Sequence, residues 1–336
     1  MPRLPERTRV YQNHHLDSTR WDDIALRPGD VVISTAYKAG TTFMQTIVGH
    51  LIFAGAEMPD PLLSVSPWIE MRREPTEEIR ERIDPQTNRR FLKSHVGLDG
   101  IPYREDVSYV FVGRDPRDVF MSLWNHYSNH TREFYEVLNG VPDRVGPPFP
   151  ACPDDPRDLW RDWIGRGWFA WEDDGWPYWS LLHHARTFWE HRHLPNILCA
   201  HYSDLLADLE AEIRRIAGFL DIARSDEEFA AIADACRFEN AKKNADRITG
   251  DMSNNFQGGN QTFFHQGTNG RWKDVLTDED LKLYDEAMAR LPGDLARWLE
   301  TGGPATGSLD ARSLTQDSRG KPGRRGAPRA RRVRTP

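Results

Sequence analysis

The chain has 336 residues, a net charge of −7 and 38% hydrophobic residues, 12 Trp among them, which is enough for a buried core and excludes a wholly disordered chain. No apolar run approaches the roughly 18 residues of a membrane-spanning helix, and the first residues lack the apolar segment of a signal peptide. Three widely spaced cysteines favour neither a disulfide framework nor a zinc site, so we expect a cytoplasmic protein without a structural metal.

Short apolar runs alternate with helix-like segments along most of the chain. Residues 1–20 are polar and are predicted to form an irregular arm. The predicted strands are residues 31–33, 90–94, 108–113 and 196–202. Helices are predicted over residues 41–53 and 205–220, and another begins at Pro116 behind Asp115, a residue type that caps helices. The alternation predicts an α/β fold with a central parallel sheet flanked by helices, in which ligands bind beyond the carboxyl ends of the strands.

A lysine and a glycine lie between the first predicted strand and the helix that follows it. Residues 34–43 read S-T-A-Y-K-A-G-T-T-F, with Lys38 before Gly40 and hydroxyl groups at Thr41 and Thr42. Free N–H groups and the positive end of the helix dipole would form a phosphate cradle here. The order differs from a Walker A loop, where the lysine directly follows the glycine. An ordinary turn with a solvated lysine is the alternative.

Two further strand ends carry residues suited to chemistry. Arg114 follows the third strand, and Ser122 falls in the second turn of the next helix, where a guanidinium and a hydroxyl group could bind phosphate. Lys93 and His95 end the second strand and lie two residues apart, so both could face one crevice. An imidazole can accept a proton near neutral pH. A surface ion pair of the arginine and a structural histidine are the alternatives.

Residues 140–180 interrupt the alternation with Gly, Pro and Trp. Six tryptophans lie there, at positions 160, 163, 168, 171, 176 and 179. Two interpretations are open: an aromatic cluster under a long loop, or a lid over an apolar ligand pocket. Under the second interpretation, the ligand-lining residues would be Trp168, Trp171, His183, His184 and Trp189.

Positive charge is concentrated at the end of the chain. Residues 319–336 contain eight Arg and Lys and no acid, and taking these eight charges from the net −7 leaves −15 for residues 1–318. Without apolar anchors, the segment 303–336 is predicted to be a disordered basic tail. A solvated tail is one interpretation, and weak peripheral contact with an anionic membrane is another. No sequence-specific nucleic-acid binding is expected.

Taken together, these segments resemble the motifs of the cytosolic-type sulfotransferase family, in the family's order. The family's phosphosulfate loop, catalytic K-T-H, 3′-phosphate motif, Y-E-D and R-K-G-x-x-G segment correspond to residues 35–43, 93–95, 109–122, 202–204 and 265–277. The likeness spans about residues 25–285 and extends to bacterial members that act on glycolipids.

The resemblance implies a single α/β domain, residues 21–300, related to P-loop kinases. It implies 3′-phosphoadenosine 5′-phosphosulfate (PAPS) as donor, the desulfated product PAP, no metal, and transfer of a sulfuryl group to a hydroxyl or amine of an apolar, aromatic, lipid or glycolipid acceptor. Lys38 and Lys93 would stabilise the transferring group, and His95 would be the general base. The implied donor-binding residues are Lys38, Ala39, Gly40, Thr41, Thr42, Phe43, Arg114, Ser122, Tyr202, Phe238, His265, Gln266 and Gly267.

Several positions depart from the family pattern. Ala39 replaces a serine, and Tyr37 replaces the proline of the loop. His265-Gln266 stand where the family has Arg-Lys against the 3′-phosphate, and Arg237 or Arg271 could supply the missing charge.

Two other functions stay open on the residues alone. A P-loop-type nucleotide or small-molecule kinase would need the Walker A order and an acidic pair for its metal, neither of which is apparent. A non-catalytic nucleotide-binding protein would leave the pairing of Lys93 and His95 unexplained.

Overall fold

A computed structural model describes residues 3–54, 61–142, 144–264, 267–305 and 307. The described residues contain one parallel sheet of four strands, in the order β2-β1-β3-β4. The strands are β1 Val31–Thr35, β2 Phe91–Ser94, β3 Ser108–Gly113 and β4 Ile197–His201. The predicted α/β class and central parallel sheet are confirmed.

The strands are buried on both faces, as expected for a sheet covered by helices on either side. Val32, Leu92 and Phe111 point into a core shared with the N-terminal segment and the tryptophan-rich region. Ile33 and Val110 point to the opposite face, against the helix Thr41–Ile52 between the first two strands and against helices that follow the last strand. The hydrophobic strand runs therefore hold the sheet between two apolar layers.

Helices form most of the remaining regular structure. Their bounds are α1 Thr41–Ile52, α2 Leu62–Val65, α3 Thr76–Ile83, α4 Pro116–Ser128, α5 Arg132–Asn139, α6 Pro156–Gly165, α7 Leu181–Trp189, α8 Tyr202–Ala207, α9 Leu209–Phe219, α10 Asp226–Cys236, α11 Phe238–Lys243, α12 Ala245–Thr249, α13 Gly259–Phe263, α14 Asp278–Met288 and α15 Gly293–Thr301. Short 3-10 helices span Ser18–Asp23, Leu98–Gly100 and Arg271–Asp274. Within the described ranges, none of the helices has the length and apolar character needed to cross a membrane.

Local chemistry explains where two of the helices begin. Asp115 caps α4 by accepting a hydrogen bond from the Arg117 N–H, as its position before Pro116 predicts. The single helix predicted over 205–220 is wrong, because the chain forms α8 and α9 with a break at Asp208. That aspartate has non-helical backbone angles, and its side chain caps α9 by accepting from the Ala211 N–H.

The N-terminal segment has little regular structure, but it is not peripheral. Tyr11 and Leu16 are buried in the core, and the Tyr11 hydroxyl donates to Asp99 Oδ1 at 2.7 Å. The Trp21 indole donates to Glu70 Oε1 at 2.6 Å. The polarity of residues 1–20 thus predicted the lack of regular structure without revealing the burial. The basic tail lies outside the described residues except for positions 303–305 and 307.

Candidate active site

The carboxyl ends of the four strands open into one crevice of about 910 Å³. Lys38 follows β1, His95 follows β2, Arg114 follows β3 and Tyr202 follows β4, and all four residues line it. Neighbouring parallel strands end at the same edge of a sheet, so this topology brings together residues that are far apart in sequence.

The loop after β1 has a backbone that aims the first turn of α1 at the crevice. Lys38 and Gly40 have φ angles of +68° and +121°. A Cβ at position 40 would lie 2.9 Å from the Tyr202 ring, so the close approach of loop and ring also requires glycine. Gly40 is the N-cap residue of α1 and makes no side-chain cap, so first-turn N–H groups are available to an anion.

The first turn of α1 adds hydroxyl and aromatic groups. The hydroxyl of the buried Thr41 hydrogen-bonds with that of Thr35, while Thr42 lines the crevice. The Phe43 ring lies edge-on to Tyr202, with 6.0 Å between the ring centroids. Phe238 also lines this part of the crevice, which gives it flat apolar walls next to its cations.

Arg114 is almost fully buried but has unused hydrogen-bonding capacity. Its Nη2 donates to Asn269 Oδ1 at 2.8 Å, and its guanidinium lies 4.0 Å from the Tyr202 ring centroid. Its Nε is buried and has no hydrogen-bond acceptor in the part of the chain that is described. A buried donor of this kind is costly unless a ligand or water accepts from it.

Arg271 lies close to Arg114 and, like it, has a buried donor without an acceptor. Its Nε is also buried without an acceptor among the described residues. Burial and the repulsion of Arg114 lower the pKa of Arg271. Two guanidinium groups that repel each other and keep free donors fit a bound polyanion such as a phosphate ester. Ser122 and the exposed Arg237 line the crevice as well.

Lys38 is the third cation at the crevice. Its Nζ lies 3.1 Å from His126 Nδ1, and His126 Nε2 lies 2.7 Å from the Tyr37 hydroxyl. Burial, Lys93 and Arg114 lower the pKa of Lys38 to about 7. Burial and the Lys38 charge hold the pKa of His126 well below its usual range, so the neutral imidazole accepts from the ammonium group.

His95 has the geometry of a proton acceptor. Its Nδ1 lies 2.9 Å from the Thr35 carbonyl oxygen, which can only accept, so Nδ1 carries the proton. The Nε2 atom therefore keeps its lone pair. Burial and the Lys93 charge hold the pKa of His95 well below its usual range, so the ring is neutral. The Trp68 ring packs edge-on against the imidazole at 4.7 Å and restricts its orientation.

Lys93 lies beside this histidine and above a buried carboxylate. Its Nζ is 5.2 Å from the Trp68 ring centroid. Burial lowers the pKa of Lys93 to about 8, although the attraction of Glu70 opposes this shift. Glu70 is held by hydrogen bonds from Trp21 Nε1 and from the Ser94 hydroxyl at 2.5 Å. Burial raises the pKa of Glu70, and the hydrogen bonds from Ser94 and Trp21 oppose that shift.

The lining falls into two groups, which we call the basic end and the aromatic end. The basic end comprises Lys38, Arg114, Ser122, Tyr202, Phe238, Gly267, Arg271 and the first turn of α1. The aromatic end comprises Trp68, Met71, Arg73, Phe134, Met252, Asn255, Phe256 and Phe263. Tyr37, Lys93, His95 and His126 also line the crevice.

Sequence reasoning missed the aromatic end and His126. His126 lies one turn after Ser122 on α4, so i, i+4 spacing was a signal that could have found it. The aromatic end had no such signal. Its residues come from separate loops and from α5 and α13, and only tertiary packing brings them together.

None of the five proposed ligand-lining residues is among the described residues of the crevice wall: Trp168, Trp171, His183, His184 and Trp189. Trp168 stacks on Trp176 with 4.9 Å between the ring centroids. Trp171 stacks on Phe169 at 4.8 Å, and His183 Nε2 lies 2.9 Å from an Asp99 carboxylate oxygen. This part of the Trp-rich region packs on itself and on the N-terminal segment, which favours the aromatic-cluster interpretation.

The other sequence-predicted positions lie as follows. Ala39 is buried in the core behind the loop and is not part of the described wall. His184 Nε2 contacts the Ser34 hydroxyl at 2.9 Å, and Trp189 is buried in the core. His265 and Gln266 lie outside the described residues. Among the described residues, no cluster of His, Cys, Asp and Glu side chains could hold a metal ion.

A parallel α/β sheet with cations and a helix N-terminus at its carboxyl edge is suited to binding a phosphorylated nucleotide. The chain matches the sulfotransferase domain family over residues 28–296, and it therefore belongs to the sulfotransferase family. It is 34% identical to a glycolipid sulfotransferase of Mycobacterium tuberculosis, over 87% of this chain and 94% of that protein. It is 24% identical to rat sulfotransferase 1A1, over 80% of this chain and 86% of that protein.

Solved structures share the fold. Retinol dehydratase in complex with androsterone and inactive cofactor PAP matches with a TM-score of 0.61 and 22% identity, over 82% of this chain and 85% of that chain. Mouse sulfotransferase SULT7A1 complexed with PAP matches with a TM-score of 0.62 and 18% identity, over 84% and 92% of the two chains.

Proposed function

We propose that the protein transfers a sulfuryl group from PAPS to a hydroxyl group of a glycolipid or a similar amphiphile. The observation that carries the proposal is the convergence of Lys38, Lys93, His95 and Arg114 on one crevice. The similarity to glycolipid sulfotransferases over most of the chain supports the acceptor class. The mixture of aromatic walls and polar groups suits an acceptor with sugar and lipid parts.

The basic end fits a donor with two phosphate-bearing sites. First-turn N–H groups of α1 and Lys38 bind the 5′-phosphosulfate, and Arg114 with Ser122 binds the 3′-phosphate. The buried Nε atoms of Arg114 and Arg271 are available to the same anion. Arg271 is thus a candidate for the charge that the departure at residues 265–266 removes. Phe43, Tyr202 and Phe238 provide flat surfaces for adenine.

His95 and the two lysines divide the chemical work. The bound donor supplies the sulfuryl group. His95 Nε2 takes the proton of the acceptor hydroxyl as the acceptor oxygen bonds to sulfur. Lys93 neutralises the non-bridging oxygens of that group. Lys38 stabilises the negative charge on the oxygen that leaves when its bond to sulfur breaks, so charge placement does most of the catalysis.

Labelled transfer is the direct test of this function. The full chain is incubated with PAPS carrying labelled sulfur, a panel of glycolipids and a metal chelator, and the products are identified by mass spectrometry. The proposal predicts sulfated glycolipid without added magnesium. Transfer that requires ATP and magnesium, or PAP binding without transfer to any acceptor, would overturn it.

Fractionation of cells would test the cytoplasmic location, and vesicle binding by a chain lacking residues 308–336 would test membrane contact of the tail.

A further inference from the structure

Among its described residues, the aromatic end of the crevice contains Arg73 as its own cation and no acid. The Lys93 and Lys38 ammonium groups reach its Trp68 and Phe263 rings, at 5.2 Å and 4.9 Å from the ring centroids. Acidic residues do line the crevice: Asp208, Glu210 and Glu239. They lie on or between α8, α9 and α11, the part of the fold that carries Tyr202 and Phe238 at the basic end. Arg73 therefore lies among apolar and neutral polar neighbours.

Arg73 is half-buried and has few partners. Among the described residues, its hydrogen bonding is limited to Nη1, which donates to Asn255 Oδ1 at 3.1 Å. Its guanidinium lies 5.3 Å from the Phe134 ring centroid. Its Nε is buried without an acceptor in the described chain, and no described carboxylate forms an ion pair with it. Burial lowers the pKa of Arg73, which reflects the cost of this environment for its charge.

Arg186 and Arg224 also keep a buried Nε without an acceptor among the described residues, but they donate to backbone carbonyls and are not part of the described crevice wall. The remaining arginines that bear on the comparison have partners. Arg90 is more deeply buried, but it forms a short ion pair with Asp30. Arg72, next in sequence to Arg73, pairs with Asp17 at 3.3 Å. Arg114 also keeps a free Nε, and it faces the basic end, where the donor's phosphate would bind. An arginine with free donors in a substrate crevice is therefore best explained by an anion that arrives with a ligand.

Tyr37 lines the crevice together with Arg73 and His95. The Tyr37 ring lies 5.1 Å from the His95 ring, centroid to centroid. Burial raises the pKa of Tyr37, and the Arg73 charge opposes that rise. An acceptor whose hydroxyl reaches His95 can thus present a second group towards Arg73.

We propose that Arg73 binds an oxyanion on the acceptor, so that the preferred acceptors are anionic amphiphiles bearing a carboxylate, phosphate ester or sulfate ester. The inference rests on the proposed function, and it narrows the acceptor class. A planar guanidinium donates two parallel hydrogen bonds to an oxyanion, whereas a neutral sugar hydroxyl offers it a single acceptor oxygen. Arg73 would therefore discriminate charged from neutral glycolipids through KM.

The test uses three acceptors that differ in one group: octyl glucoside, octyl glucuronide and the 6-phosphate of octyl glucoside. We expect the full chain to show a KM at least about tenfold lower for the two anionic acceptors. Arg73→Gln raises the KM for those two by at least about tenfold and leaves the KM for octyl glucoside within about twofold. Arg73→Lys restores part of the preference. The relative response to glucuronide and phosphate identifies which oxyanion is bound.

Controls separate this inference from its premise. Arg80→Gln makes the same charge change at an exposed position on α3 and should leave all three KM values unchanged. PAP binding by calorimetry verifies that each variant is folded. Equal KM values for neutral and anionic acceptors, or an equal rise for all three in Arg73→Gln, would overturn the role of Arg73 while the transfer activity stands. If no acceptor is sulfated, the proposed function fails. Calorimetric binding of octyl glucuronide to the PAP complex then tests the role of Arg73 separately. If Arg73→Gln leaves that binding unchanged, the role of Arg73 is wrong as well.

Discussion

The basic and aromatic ends of the crevice are built in different ways. The basic end takes Lys38, Arg114 and Tyr202 from positions that closely follow strands, so the sheet topology alone brings them together. The aromatic end takes Arg73 and Phe256 from loops that meet only through tertiary packing. Under the proposed function, donor binding would depend on the sheet edge, and acceptor selection would depend on the packing of loops.

His95 gives the largest expected effect, because the proposed role of its imidazole is in the chemical step rather than at either end of the crevice. His95→Asn should lower kcat by roughly 10²–10⁴-fold, the usual contribution of a general base. PAP affinity should stay close to that of the unmodified protein, as measured by calorimetry. A matched change, His183→Asn, alters a histidine that contacts Asp99 outside the described wall, and it should leave kcat nearly intact. If the kcat of His95→Asn stays near that of the unmodified protein, His95 is not the general base.

Arg114 tests the basic end directly. Arg114→Gln should weaken PAP binding by about 1.5–3 kcal/mol, roughly tenfold to a hundredfold in Kd, because a charge-assisted hydrogen bond to phosphate is lost. At saturating donor, kcat should fall much less. Calorimetric titration with PAP checks the affinity. An unchanged Kd would show that the buried guanidinium serves the fold and not the donor.

The affinity for PAP should fall by up to about tenfold for each pH unit above 7. In the free protein the pKa of Lys38 is lowered to about 7, so the lysine loses its charge as the pH rises through 7. An anion favours the charged form and raises that pKa, so binding above pH 7 takes up a proton and weakens as the pH increases. Calorimetry in buffers of different ionisation enthalpy measures the uptake.

Lys38→Arg supplies the control for this dependence, since arginine stays charged throughout the range. Its PAP binding should take up fewer protons than that of the unmodified protein. If the unmodified protein binds PAP with constant affinity from about pH 6.5 to 8.5, the lowered pKa of Lys38 plays no part in donor binding.

A smaller difference should separate Arg271 from Arg237. Arg271 is half-buried next to Arg114, whereas Arg237 is exposed, and water screens an exposed charge. Arg271→Gln should raise the Kd for PAP by about tenfold and Arg237→Gln by about twofold or less. Calorimetry of both variants decides the question. The reverse order would mean that the exposed arginine closes on the bound donor.

The smallest effect on activity is expected in the Trp-rich region. Trp171→Leu removes the stack on Phe169 and should lower the free energy of unfolding by about 1–2 kcal/mol. The acceptor KM should remain within about twofold, because Trp171 is not part of the described crevice wall. Chemical denaturation and steady-state kinetics measure the two quantities. A large rise in KM with unchanged stability would restore the lid interpretation.

The sequence predicts the strands of the sheet and the start of the helix after β3, because such features depend on residues that are neighbours in the sequence. Apolar runs predict all four strands, and Asp115 before Pro116 predicts the start of α4. Lys38 and Arg114 could be identified because each follows a predicted strand. The break at Asp208 was missed, since apolar spacing continues across it while the side chain caps the next helix.

Other features depend on contacts that no local pattern encodes. Trp168 was a ligand-lining candidate only under the lid interpretation, and it stacks on Trp176. His126 and Arg73 looked like ordinary polar residues of a helix and a loop, and only packing places them at the crevice. The high tryptophan content predicted aromatic stacking, but it did not predict which surface the stacked rings would face.

The hydrogen bond from Trp21 to Glu70 connects the N-terminal segment to the electrostatic surroundings of Lys93. Glu70 attracts Lys93, and its carboxylate is fixed partly by an indole from the short 3-10 helix Ser18–Asp23. Loss of this one hydrogen bond would therefore change the pKa of the Lys93 ammonium group and displace the basic limb of the pH–rate profile.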